Sequence, residues 1–246
     1  YTRIVSFKLF YYYTYFVIGL ALLGFGAAAT VVALSDRLRC RDVLDTTRVL
    51  APAVGLLGVV SYLVVAKLPT DTNQIWVGSS GRAVAELAIV IVLSLALTAV
   101  FFGLGLVISL LIVIDSGDVR KLYFWDLAGA ALGCLFAVPL QLTIGPPVMV
   151  LLALVAFAAL GLVIAVQNGH GSALASAGLA LTAVAAFAVG TQDVRTDDTK
   201  TLRLDDDVRG GDWGAVFRVD ATPSIGNHIL HHDGLWGSPI GEYDGT

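Results

Sequence analysis

The sequence predicts an all-α polytopic membrane helix bundle of about six helices, followed by a short β-hairpin segment. Three observations predict it. Of 246 residues, 57% are hydrophobic and only 14% charged, with a mean hydropathy of +0.83. A water-soluble globular chain carries about a quarter charged residues. Six apolar runs approach or exceed the roughly 20 residues that cross a hydrocarbon core. Charge, finally, is unevenly placed: residues 1–190 hold ten Lys/Arg against eight Asp/Glu, and residues 191–246 hold five against eleven. The apolar runs stop at Gly190. That divides the chain into a transmembrane helical domain, 1–190, and a polar acidic segment, 191–246.

The expected spans are 10–34, 49–66, 87–114, 122–140, 147–166 and 173–190. The first opens with Phe10-Tyr11-Tyr12-Tyr13 and Tyr15-Phe16, as befits a membrane interface. Its Gly19, Gly24 and Gly26 leave room for another helix. The third run is longer than a straight crossing needs, and Gly103 and Gly105 mark a tilt or kink. The fourth carries Asp126 and ends at Pro139. The last two are Ala-rich, and the sixth is only just long enough.

Arg37, Arg39, Arg41 and Arg48 lie between the first two spans, and Arg120-Lys121 between the third and fourth. The positive-inside rule puts both loops in the cytoplasm. Six complete crossings then place 191–246 outside, whereas a re-entrant 122–140 segment places it inside. The chain opens at Tyr1 rather than Met, shows no signal peptide and stops at Thr246 without a closing element. These ends predict a piece of a longer protein. The expected location is the inner or plasma membrane of a prokaryote, with lipid and other membrane subunits, or a C-terminal domain of its own, as partners.

The net charge of −4 excludes the basic field of a general nucleic-acid binder. Cys40 and Cys134 make neither a disulfide framework nor a four-ligand zinc site. No phosphate-binding loop, dinucleotide fingerprint or nucleophile elbow is present, so no catalytic residue is assigned. Asp126 is the one carboxylate well inside an apolar run. On a helix it shares a face with Gly129, Ala130 and Gly133, an acid one turn before a small-residue seam. It reads either as a proton or cation site or as a packing residue near the interface, partnered by Arg120 or a neighbouring helix. Glu86 and Asp115 read as residues at the ends of a span, and His170 as a solvated turn residue.

In the tail, Trp213–Asp220 and Ile225–His232 alternate as strands, with Pro223-Ser224 as a turn and Asp233-Gly234 as a hairpin dipeptide. His228, His231 and His232 offer two or three zinc donors. Strand alternation turns His231 and His232 to opposite faces, which works against a metal site. A hairpin of this size is marginal alone and needs a partner domain.

Three stretches together resemble the membrane-embedded spermidine synthase-like family, whose multispanning domain precedes a polyamine aminopropyltransferase-like domain. The first is Thr2-Arg3-Ile4-Val5-Ser6 leading into the Gly-rich run Tyr15 to Gly26. The second is Leu122-Tyr123-Phe124-Trp125-Asp126-Leu127-Ala128-Gly129-Ala130-Ala131-Leu132-Gly133-Cys134. The third is Trp213 through Asp220, then Leu230 to Asp233-Gly234. The resemblance implies an aminopropyltransferase relative in which the nucleotide-binding loop and catalytic aspartate lie past Thr246. Decarboxylated S-adenosylmethionine is then a cofactor only of a domain that follows, and this chain holds none. The chain departs from the soluble synthases after the turn, where Leu235-Trp236-Gly237-Ser238 lacks their substrate-holding Gln. Two other readings stand beside this one: a non-catalytic subunit of a larger membrane complex, and a transporter that uses Asp126.

Overall fold

The computed structural model describes residues 1–39, 42–114, 119–169, 172–190, 194–202, 207–208, 210–214, 216–224 and 227–241. Asp115 and His170 lie outside the described residues. The described chain is mostly helical and ends in a small antiparallel sheet. Five of its helices are long and apolar enough to cross a membrane. In order, these are α2 (Tyr13–Leu34), α4 (Val43–Lys67), α6 (Ser80–Ile114), α7 (Val119–Gln167) and α8 (Ala173–Gly190). Short helices α1 (Thr2–Lys8), α3 (Asp36–Arg39) and α5 (Gln74–Val77) lie between or before them.

Local chemistry sets the ends of α4. Asp42 accepts hydrogen bonds from the Leu44 and Asp45 amides at 3.0 and 3.1 Å, an N-cap that satisfies two otherwise orphaned donors. Lys67 sits in the last turn, where a cation suits the carbonyl end. Within the helix, Pro52 cannot donate to the Arg48 carbonyl. Gly161 of α7 and Gly178 of α8 pack over this site, where a Cβ would come within 2.6 Å of the Arg48 oxygen or of the Pro52 ring. Missing side chains thus let three helices close around a proline that a freely exposed helix tolerates poorly.

The α2–α6 contact is of the same kind. A Cβ on Gly24 would stand 2.8 Å from the Phe102 nitrogen and 2.9 Å from the Thr98 carbonyl. Gly19 and Gly26 have open space around them, so one of the three expected packing glycines carries the approach. Gly103 and Gly105 are contact points too, against Val54 and Ala28. Gly24→Ala is therefore expected to lower stability by about 1–3 kcal/mol through overpacking against backbone. Gly26→Ala should be neutral or slightly stabilising. Thermal unfolding of both variants in detergent checks the contrast.

The fourth and fifth expected spans, 122–140 and 147–166, fall on the two arms of α7, which meet at Gly145. At 1.5 Å per residue, α7 thus holds two arms of about 39 and 33 Å, 119–144 and 146–167, each long enough for a hydrocarbon core. It breaks at Gly145, with φ 77° and ψ 154°, just before Pro146-Pro147. The start of α7 shares a groove with Ile108, Leu111 and Ile112 of α6, and Gly145 lies against Trp213 in the tail. Gly161 returns to the start of α4. The two arms therefore run in opposite directions, and Gly145 is the reversal. Helix geometry continues so close to it that no loop separates them.

Two ends of the bundle follow. Val32, Val43 and Leu110 form an apolar cluster at one. Lys8, the link 68–73 and residues 194–202 meet at the other, where the Arg195 amide donates to Ala66, Asp197 to Lys8 and Asp198 to Thr70 at 2.7–2.9 Å. Between them the core holds Ile4, Val17, Tyr62, Val100 and Leu154.

The sheet is a meander of β1 (Gly210–Trp213), β2 (Arg218–Ser224), β3 (Asn227–His232) and β4 (Leu235–Gly241). This corrects the expected hairpin in two ways. The expected strand Trp213–Asp220 is divided between the end of β1 and the start of β2, paired Trp213↔Arg218. Pro223-Ser224 is strand rather than turn, paired with His228 and Asn227. Pro223 is tolerated because β1 reaches only Ala221, so one side of β2 has no ladder to feed there. Asp233-Gly234 does turn β3 into β4. Both residues have positive φ, 49° and 76°, as a two-residue hairpin turn of the primed type requires.

Candidate functional site

The densest chemistry lies where the sheet docks on the tail-bearing end of the bundle. Lys8 is fully buried at the end of α1, and its Nζ donates to the Leu68 carbonyl at 2.6 Å and the Arg195 carbonyl at 3.3 Å. Lys200, 3% exposed, donates to the Ser6 carbonyl at 3.2 Å, to Phe7 at 2.6 Å and to Asp233. Asp197 accepts from the Thr72 amide at 3.0 Å on one oxygen and from the Thr199 amide and hydroxyl on the other. Three segments far apart in sequence are thus tied together through main-chain atoms.

The Asp233 carboxylate extends the knot. It accepts from the Arg218 amide at 2.8 Å and the Ser6 hydroxyl at 3.2 Å, and stands 3.6 Å from Arg3. The Arg218 guanidinium lies 4.9 Å over Phe7 and 5.2 Å over Trp213, whose rings meet edge to face. Such cation–aromatic contacts gain strength when removed from water. Arg218 also bonds Asp220 at 2.8 Å. Asp220 is fully buried, its second oxygen accepts no hydrogen bond from the described residues, and burial pushes its carboxyl above the ordinary range against the pull of Arg218. Directly across the strands, buried His231 is held between the Thr222 and Thr201 hydroxyls at 2.9 and 3.3 Å. The inner face of the sheet is therefore polar, and the arrangement suits rigid docking.

Burial holds the Lys8 and Lys200 amines down to about 8, against an ordinary 10.5, with Asp197 pulling Lys8 and Asp233 pulling Lys200 partly back up. In the unfolded chain both keep the ordinary value. Between pH 8 and about 10.5 the unfolded chain therefore binds more protons than the folded one, and stability rises with pH. The gain is absent below pH 8. Unfolding temperatures in detergent should increase across that window, and Lys200→Met should flatten the increase. A steady fall would refute the assignment.

The residues expected from sequence are distributed differently. Asp126 is exposed, beside the groove between the start of α7 and Ile108, Leu111 and Ile112. No described residue bonds it, Arg120 included. Gly129 and Gly133 are exposed as well, and a Cβ on either meets nothing within 4 Å. The first arm of α7 carries this seam on a face that no other described helix covers. Gly133→Leu is accordingly expected to leave the stability of the isolated chain within about 1 kcal/mol of wild type, read from unfolding in detergent. A large loss would mean that something covers the arm.

The three tail histidines are split by strand alternation. His231 faces the threonines, while His232 packs against the Phe217 ring at 4.8 Å and His228 pairs across from Ile240. Among the described residues no three His, Cys, Asp or Glu side chains gather to hold a metal. The junction residues Lys8, Asp197, Lys200, Arg218 and Asp220 were missed from sequence. The one available signal was polarity out of place: a lysine in the first ten residues of an apolar stretch, and Asp220 inside an alternating strand. No family model, curated protein or solved structure matches the chain.

Proposed function

We propose that this chain is the integral membrane portion of a spermidine synthase-like protein, catalytically incomplete as it stands, and that its sheet is the platform on which a synthase-like domain is mounted. The observation that carries the reading is the contact of Arg3 and Ser6 with Asp233. Arg3 and Ser6 belong to the Thr-Arg-Ile stretch and Asp233 to the Asp-Gly turn, so two of the three stretches that resemble the family share one contact. Lipid suits the outer surface, where Leu22, Leu95, Val184 and Phe187 are all more than half exposed. With both arms of α7 crossing, the Arg-rich loops share one side of the membrane and the sheet lies on the other. The positive-inside rule then puts the sheet outside the cytoplasm.

The test uses the parent reading frame. With decarboxylated S-adenosylmethionine and putrescine, the parent protein should form spermidine and the 246-residue chain alone should not. Turnover by this chain alone, or a parent frame without a strand and Gly-rich loop after Thr246, overturns the reading. A second reading, as a non-catalytic subunit of a larger membrane complex, is favoured by the uncovered first arm of α7. The transporter reading is disfavoured because Asp126 lies on the outside of the bundle rather than along a path through it.

A further inference from the structure

Beside the junction, on the same end of the bundle, lies a small pocket with aromatic walls. Phe10 and Tyr12 stack at 5.5 Å with planes 4° apart, and Tyr13 leans on Tyr12 at 4.9 Å. Trp76 of α5 lines the same pocket, whose volume is about 210 Å³. Trp76 is 85% exposed, and no ring contact closes the gap between it and the tyrosines. The rest of the lining is Asn73 and the pair Thr72 and Thr199. These are the two residues that clasp Asp197, 1% exposed, through the Thr72 amide and the Thr199 amide and hydroxyl. A buried carboxylate therefore sits one hydrogen bond behind the pocket lining.

Aromatic faces carry negative potential and attract cations, most strongly indole. Lys200 already uses Phe10 in this way, with its Nζ 5.4 Å from the ring. No described cation lies over Tyr12, Tyr13 or Trp76. Lys8 and Lys200 face Asp197 from the junction side, but their donors are turned to main-chain carbonyls. The pocket is smaller than the roughly 300–1,000 Å³ of drug-sized sites, which favours a compact occupant. A cation has the rings of Tyr12, Tyr13 and Trp76 around it, and behind them the Asp197 carboxylate, whose charge Lys8 and Lys200 share.

We propose that this pocket binds an organic ammonium group, presented by a phospholipid headgroup or by a free small ion. Its place among the exposed rings of Tyr11, Tyr15 and Trp76, at the depth where aromatic residues meet headgroups, suits the lipid source. The inference goes beyond the synthase resemblance and does not depend on it.

The 246-residue chain in phosphatidylglycerol nanodiscs is titrated with tetramethylammonium chloride, with sodium chloride matched for ionic strength, and read by calorimetry. Saturable binding is expected, and Trp76→Ala should weaken it about fivefold or more, with Trp76→Phe weakening it less. Because Trp76 is exposed, the alanine variant should keep the wild-type unfolding temperature. Repeating the titration in discs that contain phosphatidylcholine separates the sources: apparent affinity falls if the lipid headgroup occupies the pocket, and stays unchanged if only free ions enter. No saturable binding by the wild-type chain, or equal binding by Trp76→Ala, overturns the proposal.

Discussion

Lys200→Ala is expected to destabilise the junction by about 3 kcal/mol, among the largest effects of any single substitution in the chain. The argument turns on what remains after the amine is removed. Burying an ammonium is costly, and replacing a buried ion pair by apolar groups is often neutral. Here, however, the acceptors are the carbonyls of Ser6, Phe7 and Asp233, which cannot be mutated away and lose a donor each. Each buried acceptor left unsatisfied costs roughly 1–3 kcal/mol before relaxation. Lys200→Met keeps most of the stem and should recover only the packing share. The measurements are detergent unfolding temperature and the rate at which trypsin releases the tail. If both variants behave as wild type, the amine is not holding the sheet to the bundle.

Gly145→Ala is the second large effect, expected at about 3 kcal/mol. The backbone at φ 77° and ψ 154° lies in a region open essentially to glycine alone, where another residue is strained by about 1–3 kcal/mol. A Cβ would also approach the Trp213 ring to 3.0 Å, pressing on the β1 residue that shields Arg218. Pro146 limits relief, because the residue before a proline is restricted toward extended conformations with negative φ. Gly169 is the internal control. It has φ 63° with nothing within 4 Å, a left-handed conformation that asparagine tolerates, so Gly169→Asn should cost under about 1 kcal/mol. Trp213 fluorescence, isolated by replacing the other tryptophans with phenylalanine, should report the altered reversal in Gly145→Ala. Equal stability of the two variants would show that the turn relaxes freely.

What the sequence disclosed and what it hid have physical causes. Helix length and apolarity are local properties, so α2 and α8 could be placed from composition to within three residues, and α4 and α6 with starts six and seven residues late. The break in α7 was legible as Pro146-Pro147, but its abruptness was not, because the backbone angles of Gly145 depend on Trp213, 68 residues later. The turn at Asp233-Gly234 was legible because its dipeptide demands positive φ. Pro223 misled because a proline in a strand is excluded only where a ladder needs its amide. The Asp126 face could be drawn on a helical wheel, yet periodicity states which residues share a face and not what lies opposite. The junction was invisible for a different reason. Lys8 and Lys200 reach partners 60 and more than 190 residues away, with no pattern linking the two ends.

That choice of partner has a consequence for how the junction would evolve. A main-chain carbonyl is present whatever side chain the residue carries, so Lys8 places no demand on the side chains at positions 68 and 195, nor Lys200 on those at 6 and 7. Two fixed lysines facing freely drifting positions would leave no correlated substitutions for covariation methods to detect. Contacts of this kind hold distant segments together while being silent in pairwise statistics, and the docking of the sheet would have to be found by geometry or by mutating the lysines themselves.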